Sequence, residues 1–294
     1  MQIFDENIEY SDVKDDLNPL DSWILSKLNN LNIKVDAAFA EYNFADTITS
    51  IERFFWHDFC DEYIEAVKYR LYTDVKDESR RAAKYTLRTV VETSLKLLSP
   101  IIPFFTEEVY QYFSDDSIHS SLWPEVQTEL ISEEFENRGD TAIDLIDEVR
   151  RFKSASKIPL NAELSEVNVY TSDESLVEIF KDFNNDLKGT LKINNLSISS
   201  GKPEVHEKII EVEADMSQIG PTFKGDAGKI IGYLKSTSID EIGNILEENH
   251  QLTVGDIIVP EDMLNIKKEI VGASGKKVDI LQSESLDMIV EVIK

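Results

Sequence analysis

The chain has 294 residues, enough for two hydrophobic cores, and its 41% apolar content excludes global disorder. A formal net charge of −27 excludes general long-range attraction to polyanions, so any nucleic-acid contact must rest on local charge. No run approaches the ~20 apolar residues of a membrane helix, the opening MQIFDENIEYSDVKDD lacks signal-peptide order, and the single Cys60 permits neither an intrachain disulfide nor a cysteine-based zinc site; a cytoplasmic chain with no membrane partner is expected.

The first half reads as helices. Ile24, Leu28, Leu31, Val35 and Ala38 recur at three- and four-residue spacing, which predicts a helix over 21–42. Asn18-Pro19 supplies its cap and first-turn proline. A second helix is predicted over 44–72, with Ile48, Ile51, Phe55, Phe59, Tyr63 and Val67 inward. A third, over 76–98, is closed by Ser99-Pro100, because proline disfavours helix in the residue before it. After Pro103 a short helix carries Phe104, Val109 and Tyr110. An acidic loop follows, with Trp123-Pro124 expected to plug the bundle's open end. A fifth helix is predicted to begin near Asp140, with Ile143, Ile146, Val149 and Phe152 on its apolar face. Long helices joined by short loops imply an antiparallel bundle.

Near Pro159 the pattern changes. Short β-like runs occupy 167–170, 191–198, 208–212, 257–259, 266–271 and 288–293, and helical stretches fall at 175–183, 225–235 and 239–248. Gly255-Asp256 and the segment 272–275 read as turns. The expected fold is therefore an α-helical bundle over 1–157 followed by a smaller α+β domain over 158–294.

No catalytic constellation stands out. Gly225-Asp226-Ala227-Gly228-Lys229 has the wrong spacing for a phosphate loop and reads as a tight turn opening a helix. His57, His119, His206 and His250 show no ligand spacing, so no metal site is expected. His57 and Cys60 lie three apart on one predicted helix and read as core or boundary packing.

Four blocks carry a resemblance: NPLDSWILSKL at 18–28, FFWHDFCDEYIEAVKYRLY at 54–72, LKLLSPIIPFFTEEVYQ at 95–111 and SLWPE at 121–125. In this order they resemble the anticodon-binding helical domain shared by the valyl, isoleucyl, leucyl and methionyl class I aminoacyl-tRNA synthetases. WHDFCDEYIEAVK, LSPIIPFFTEEVYQ and GDTAIDLIDEVRRFKSASKIPLNAEL at 139–164 look most like the valyl type. The chain lacks a sustained heptad, which departs from the bacterial coiled-coil tail and is closer to an archaeal type. The resemblance implies a C-terminal fragment of a valine–tRNA ligase. The whole enzyme would couple valine to its tRNA using ATP and magnesium, with catalytic and editing domains on the same polypeptide. The HIGH-like and KMSKS-like signatures of the catalytic fold do not occur here, so this chain is expected to be non-catalytic, to need no cofactor, and to bind valine tRNA but not DNA. The same role in an isoleucyl or leucyl enzyme, or a synthetase-derived protein-interaction module, are the alternatives.

All eight arginines lie at or before Arg151, and the window 68–96 holds eight basic against four acidic residues. Lys76, Arg80, Lys84 and Arg88, spaced by four, form one helical stripe with Arg81 at its edge. Such a stripe can follow phosphates, or simply pair with Asp77, Glu78 and Glu92. Arg150, Arg151, Lys153 and Lys157 end the fifth helix, where cations also suit the helix dipole. Lys68 and Arg70, at the end of the second helix, are candidates to reach a phosphate backbone. The resemblance implies that anticodon bases meet the first helix, with Lys27 and Asn30 as candidates and Trp23 weighted toward the core. The arginine-free second half is expected to give no electrostatic grip as a whole, leaving only local lysines such as Lys224, Lys229, Lys276 and Lys277.

Overall fold

A computed structural model describes residues 8–72, 77–273, 275–283 and 288–293. A short helix, α1 (Tyr10–Val13), precedes α2 (Pro19–Ala40), which starts where the sequence places it. The Asn18 N–H donates to the Asp21 carboxylate at 2.8 Å in a capping box, with Pro19 in the first turn. The second helix runs through 44–72 in three windings: α3 (Phe44–Arg53), a π-wound stretch (Phe54–Ile64) and α4 (Glu65–Tyr72). The wider turn corrects the expected inward face. Phe54, Phe59 and Tyr63 are buried at five- and four-residue spacing, whereas Phe55 is half-buried and Ile48 is 40% exposed.

The third helix, α5 (Asp77–Leu98), and α6 (Pro103–Tyr110) follow expectation. Helix α7 (Glu133–Ala155) starts seven residues before Asp140 because the Ser132 hydroxyl accepts from the Phe135 N–H at 3.2 Å, and three glutamates in its first turn suit the dipole. Gly139 lets α7 close on α2, since a Cβ there would overlap the Trp23 ring.

Beyond the bundle come β1 (Leu164–Thr171), α8 (Glu174–Asp182), α9 (Asn184–Leu191) and β2 (Ile193–Ser200). The expected strand at 191–198 begins two residues late: α9 claims Leu191, and Lys192 ends it in the left-handed region at φ 54. Much later, β7 (Asp279–Ser283) and β8 (Met288–Ile293) complete the sheet, in the order β2-β1-β8-β7. Strands β1 and β2 are parallel, while β8 runs antiparallel to both β1 and β7. Helix α9 docks on α4, where Gly189 meets the Tyr69 ring so closely that a Cβ would lie 2.5 Å from it.

Between β2 and β7 lies a satellite of β3 (Val205–Ala214), α10 (Met216–Phe223), α11 (Ala227–Ser236), α12 (Ile239–Asn249), β4 (Gln251–Val254), β5 (Ile257–Pro260) and β6 (Leu264–Gly272). Strand β3 pairs with β6 and β4 with β5, both antiparallel, the second pair turning at Gly255 with φ 64. Elements α9, α10, β4 and β7 were not expected from the sequence. The satellite has its own core, including Ile209, Ile219, Ile230, Ile242 and Val259. The first core is continuous from Leu25 and Val90 in the bundle to Val167, Phe180, Leu187 and Val290 around the four-stranded sheet.

Candidate nucleic-acid interface

Several cations that the sequence offers for RNA are engaged inside the protein. Arg70 is fully buried. Its two Nη atoms donate to the Asp21 carboxylate at 2.7 and 2.8 Å, and it also reaches Ser79 Oγ at 3.0 Å and the Ser79 carbonyl at 2.6 Å. The Tyr63 hydroxyl donates to the same carboxylate at 2.5 Å. Burial works against the guanidinium charge, but the Asp21 carboxylate outweighs it and holds the Arg70 pKa above its ordinary value. Arg70 thus joins α2, α4 and α5, and the expectation that it reaches a phosphate is corrected.

Lys153 is corrected in the same way. Its buried ammonium donates to the carbonyls of Leu191 (2.7 Å), Ala162 (2.8 Å) and Leu160 (3.2 Å), tying α7 to the end of α9. Burial, with Lys192 nearby, pulls its pKa down. Lys27 lies between Asp140 (2.7 Å) and Asp58 (2.8 Å), 4.9 Å from the centre of the Trp23 ring. Burial lowers its pKa, yet the hydrogen bonds from Asp140 and Asp58 prevail and raise it. Trp23 is buried, and its Nε1 donates to Asp140 at 2.9 Å.

The remaining candidates sit nearer the surface. Exposed Asn30 donates to Glu136 at 2.6 Å, and exposed Lys68 pairs with Glu65. Arg150 lies between Glu62 (3.2 Å) and Asp147 (3.3 Å), while the exposed Arg151 is 3.2 Å from Glu148. On the α5 stripe, Arg80, Arg81, Lys84 and Arg88 are all half-buried; Arg80 Nε donates to the Arg70 carbonyl and Arg88 faces Glu92 at 3.8 Å. Lys76 lies outside the described residues. In the arginine-free half, Lys229 pairs with Asp226 and Lys277 with Glu269. Cys60 packs against the core with its thiol pKa pushed up by burial, whereas His57 is exposed beside Asp61, which corrects a shared packing role.

Sequence periodicity did not single out the aromatic rim where α2 ends and α3 begins. Tyr42 is 81% exposed and held in the left-handed region at φ 56. Its ring lies 6.5 Å from Phe44, which stands edge-on to Phe39 at 5.6 Å, and Phe39 meets Trp123 edge-on at 5.4 Å. Trp123 does not plug the bundle; it lies half-exposed on this rim, its Nε1 donating to Asp36 at 2.6 Å. The Asn32 amide donates to the Pro124 carbonyl at 3.0 Å, and the Gln127 N–H donates to Asn29 at 2.7 Å, pinning the loop along α2. A small pocket lined by Ser99, Pro100, Leu122 and Trp123 connects the rim to the α5–α6 turn. Exposed rings at a helix end can stack with planar partners, unpaired bases among them.

Among the described residues no helix is long and apolar enough to cross a membrane. The family model described as the anticodon-binding domain of tRNA ligase matches residues 21–169. The chain is 44% identical over 276 residues to a valine–tRNA ligase of Methanothermobacter thermautotrophicus, a match covering 94% of this chain and 31% of that protein. It is also 40% identical to one from Methanococcus maripaludis and 38% identical to one from Methanocaldococcus jannaschii, over 94% and 92% of this chain and 31% and 30% of theirs. The chain thus spans about a third of the length of these relatives.

Proposed function

The chain belongs to the family of anticodon-binding domains of tRNA ligases, and from that premise we propose that it is the tRNA-binding, anticodon-recognising part of a valine–tRNA ligase of archaeal type. The whole enzyme would work in the cytoplasm, joining valine to its tRNA with ATP and magnesium in catalytic and editing domains of the same polypeptide. In this division of labour residues 1–157 hold the anticodon and 158–294 support them. The valine assignment rests on the names of the relatives. The observation that carries anticodon recognition is the aromatic rim of Tyr42, Phe44 and Trp123, because single-stranded bases are held by stacking.

The test is binding of valine, isoleucine and leucine tRNA transcripts to the chain and to a Tyr42→Asn/Phe44→Ala variant. Asparagine tolerates the left-handed backbone at position 42, so the substitution removes the ring without new strain. The wild type is expected to prefer valine tRNA. The variant should bind it roughly 5- to 150-fold more weakly, from ~1–3 kcal/mol for one stacked base, with the salt dependence unchanged. Undiminished affinity would remove the rim from recognition, and equal affinity for the three tRNAs would remove the valine assignment.

A further inference from the structure

Where α9 docks on α4, the bundle and the sheet region leave a cleft of ≈ 640 Å³ between them. One wall carries Lys68 and Tyr72 of α4 with Arg150 of α7, and the other carries Lys188, Lys192 and Asn194. Five of its lining residues are basic, with Lys153 at its base, against Glu65 and Glu163. That is a local inversion of sign in a chain of net charge −27.

The cations differ in how far they are already satisfied. Lys68 faces Glu65, Arg150 faces Glu62 and Asp147, and Lys153 donates to three carbonyls. Lys188 and Lys192 have no carboxylate partner among the described residues. Lys192 is exposed on a fixed backbone, since its carbonyl accepts from the Leu164 N–H at 2.9 Å and closes β1 onto the end of α9. Two unsatisfied ammonium groups four residues apart in a cleft beside an exposed tyrosine match a phosphate with its sugar and base.

The position of the cleft separates it from the rim. Asn18, at the start of α2, donates to Asp186 of α9 at 2.9 Å, while Tyr42 follows the far end of the same helix. The 22 residues of α2 set these two ends about 33 Å apart at ~1.5 Å per residue. Resting on the anticodon-binding reading above, we propose that this cleft is a second RNA contact, in which Lys188 and Lys192 hold the sugar–phosphate backbone of the bound tRNA away from its anticodon. The arginine-free region thereby takes part in binding through two local lysines.

The experiment compares the 294-residue chain with a Lys188→Gln/Lys192→Asn variant, asparagine again suiting the left-handed backbone at 192. Each protein is titrated with valine tRNA and with the isolated anticodon stem–loop over a range of salt. For whole tRNA the slope of log affinity against log salt should fall by about 1.4–1.8 in magnitude, a loss of roughly 25- to 60-fold at ~0.1 M salt, for two phosphate contacts at ~0.7–0.9 each. Stem–loop affinity should stay unchanged. Whole-tRNA binding with unaltered affinity and slope, or equal weakening toward both RNAs, overturns the cleft contact and leaves the anticodon reading standing. Failure of the wild type to bind either RNA overturns that reading and the cleft contact together.

Discussion

The bundle and the sheet region divide their charges in opposite ways. The bundle holds every described arginine, and its best-placed cations are turned inward: Arg70 on Asp21, Lys27 between Asp58 and Asp140, and Lys153 on three carbonyls. The sheet region has no arginine, yet it presents Lys188 and Lys192 without a carboxylate partner among the described residues. A count of basic residues points to the first region and the geometry points to the boundary with the second. What an RNA meets depends on which cations remain unneutralised, because a buried pair presents no net charge at the surface.

Three substitutions can break or sharpen this contrast. The largest effect is expected from Arg70→Met, which strands the Asp21 carboxylate in the core and should cost about 3–5 kcal/mol in denaturant unfolding. A fully stable Arg70→Met chain that binds tRNA poorly would show that the arginine works on RNA after all. Next is Lys153→Met, which removes the donor from three carbonyls and should cost about 2–3 kcal/mol by thermal melting, with the salt slope of tRNA binding unaltered. A reduced slope would count Lys153 among the RNA contacts.

The smallest is a change of slope with pH. Burial raises the pKa of Asp186, against the opposing pull of Arg70, so the folded state binds this proton more tightly than the unfolded chain. Its contribution is then fully present below the unfolded value near ~3.9 and is lost as pH rises through the higher folded value. Asp186→Asn, which still accepts from Asn18 and Tyr69 through its amide oxygen, should flatten stability against pH over that window. An unchanged slope would mean that the site is not desolvated enough to matter.

Much of the bundle was legible because its signals are local. Asn18-Pro19, Ser99-Pro100 and the i, i+4 apolar spacing of α2 act within a turn or two of themselves. What was missed depends on partners far along the chain. The π winding shifted the buried face from Phe55 to Phe54, and it answers to packing against α2 and α5 more than to any composition in 54–64. Helix α9 buries Leu187 and Leu191 four residues apart and meets α4 through Gly189 on Tyr69, a signal of two turns that the adjoining β-like run at 191–198 overlaps, and α10 is equally short and carries Pro221 inside it. For the site residues the limit was sharper. Arg70 meets Asp21 across 49 positions and Lys153 meets Leu191 across 38, so nothing near either residue foretells its burial. The aromatic rim was on the page as Tyr42, Phe44 and Trp123, but periodicity assigns aromatics to a core by default.

The sheet order carries a consequence for the history of each molecule. Strand β8 lies between β1 and β7, and its Met288, Val290 and Val292 enter the same core as the bundle. In chain order the helices and β1–β2 come first and the satellite, with its own core, comes next, so the sheet can close only once residue 293 has been made. Until then β1 offers an unpaired edge on the β8 side, a template for the wrong strand. The satellite thus stands as an insertion between two halves of one sheet, and every residue of it must be made before β8 can pair with β1.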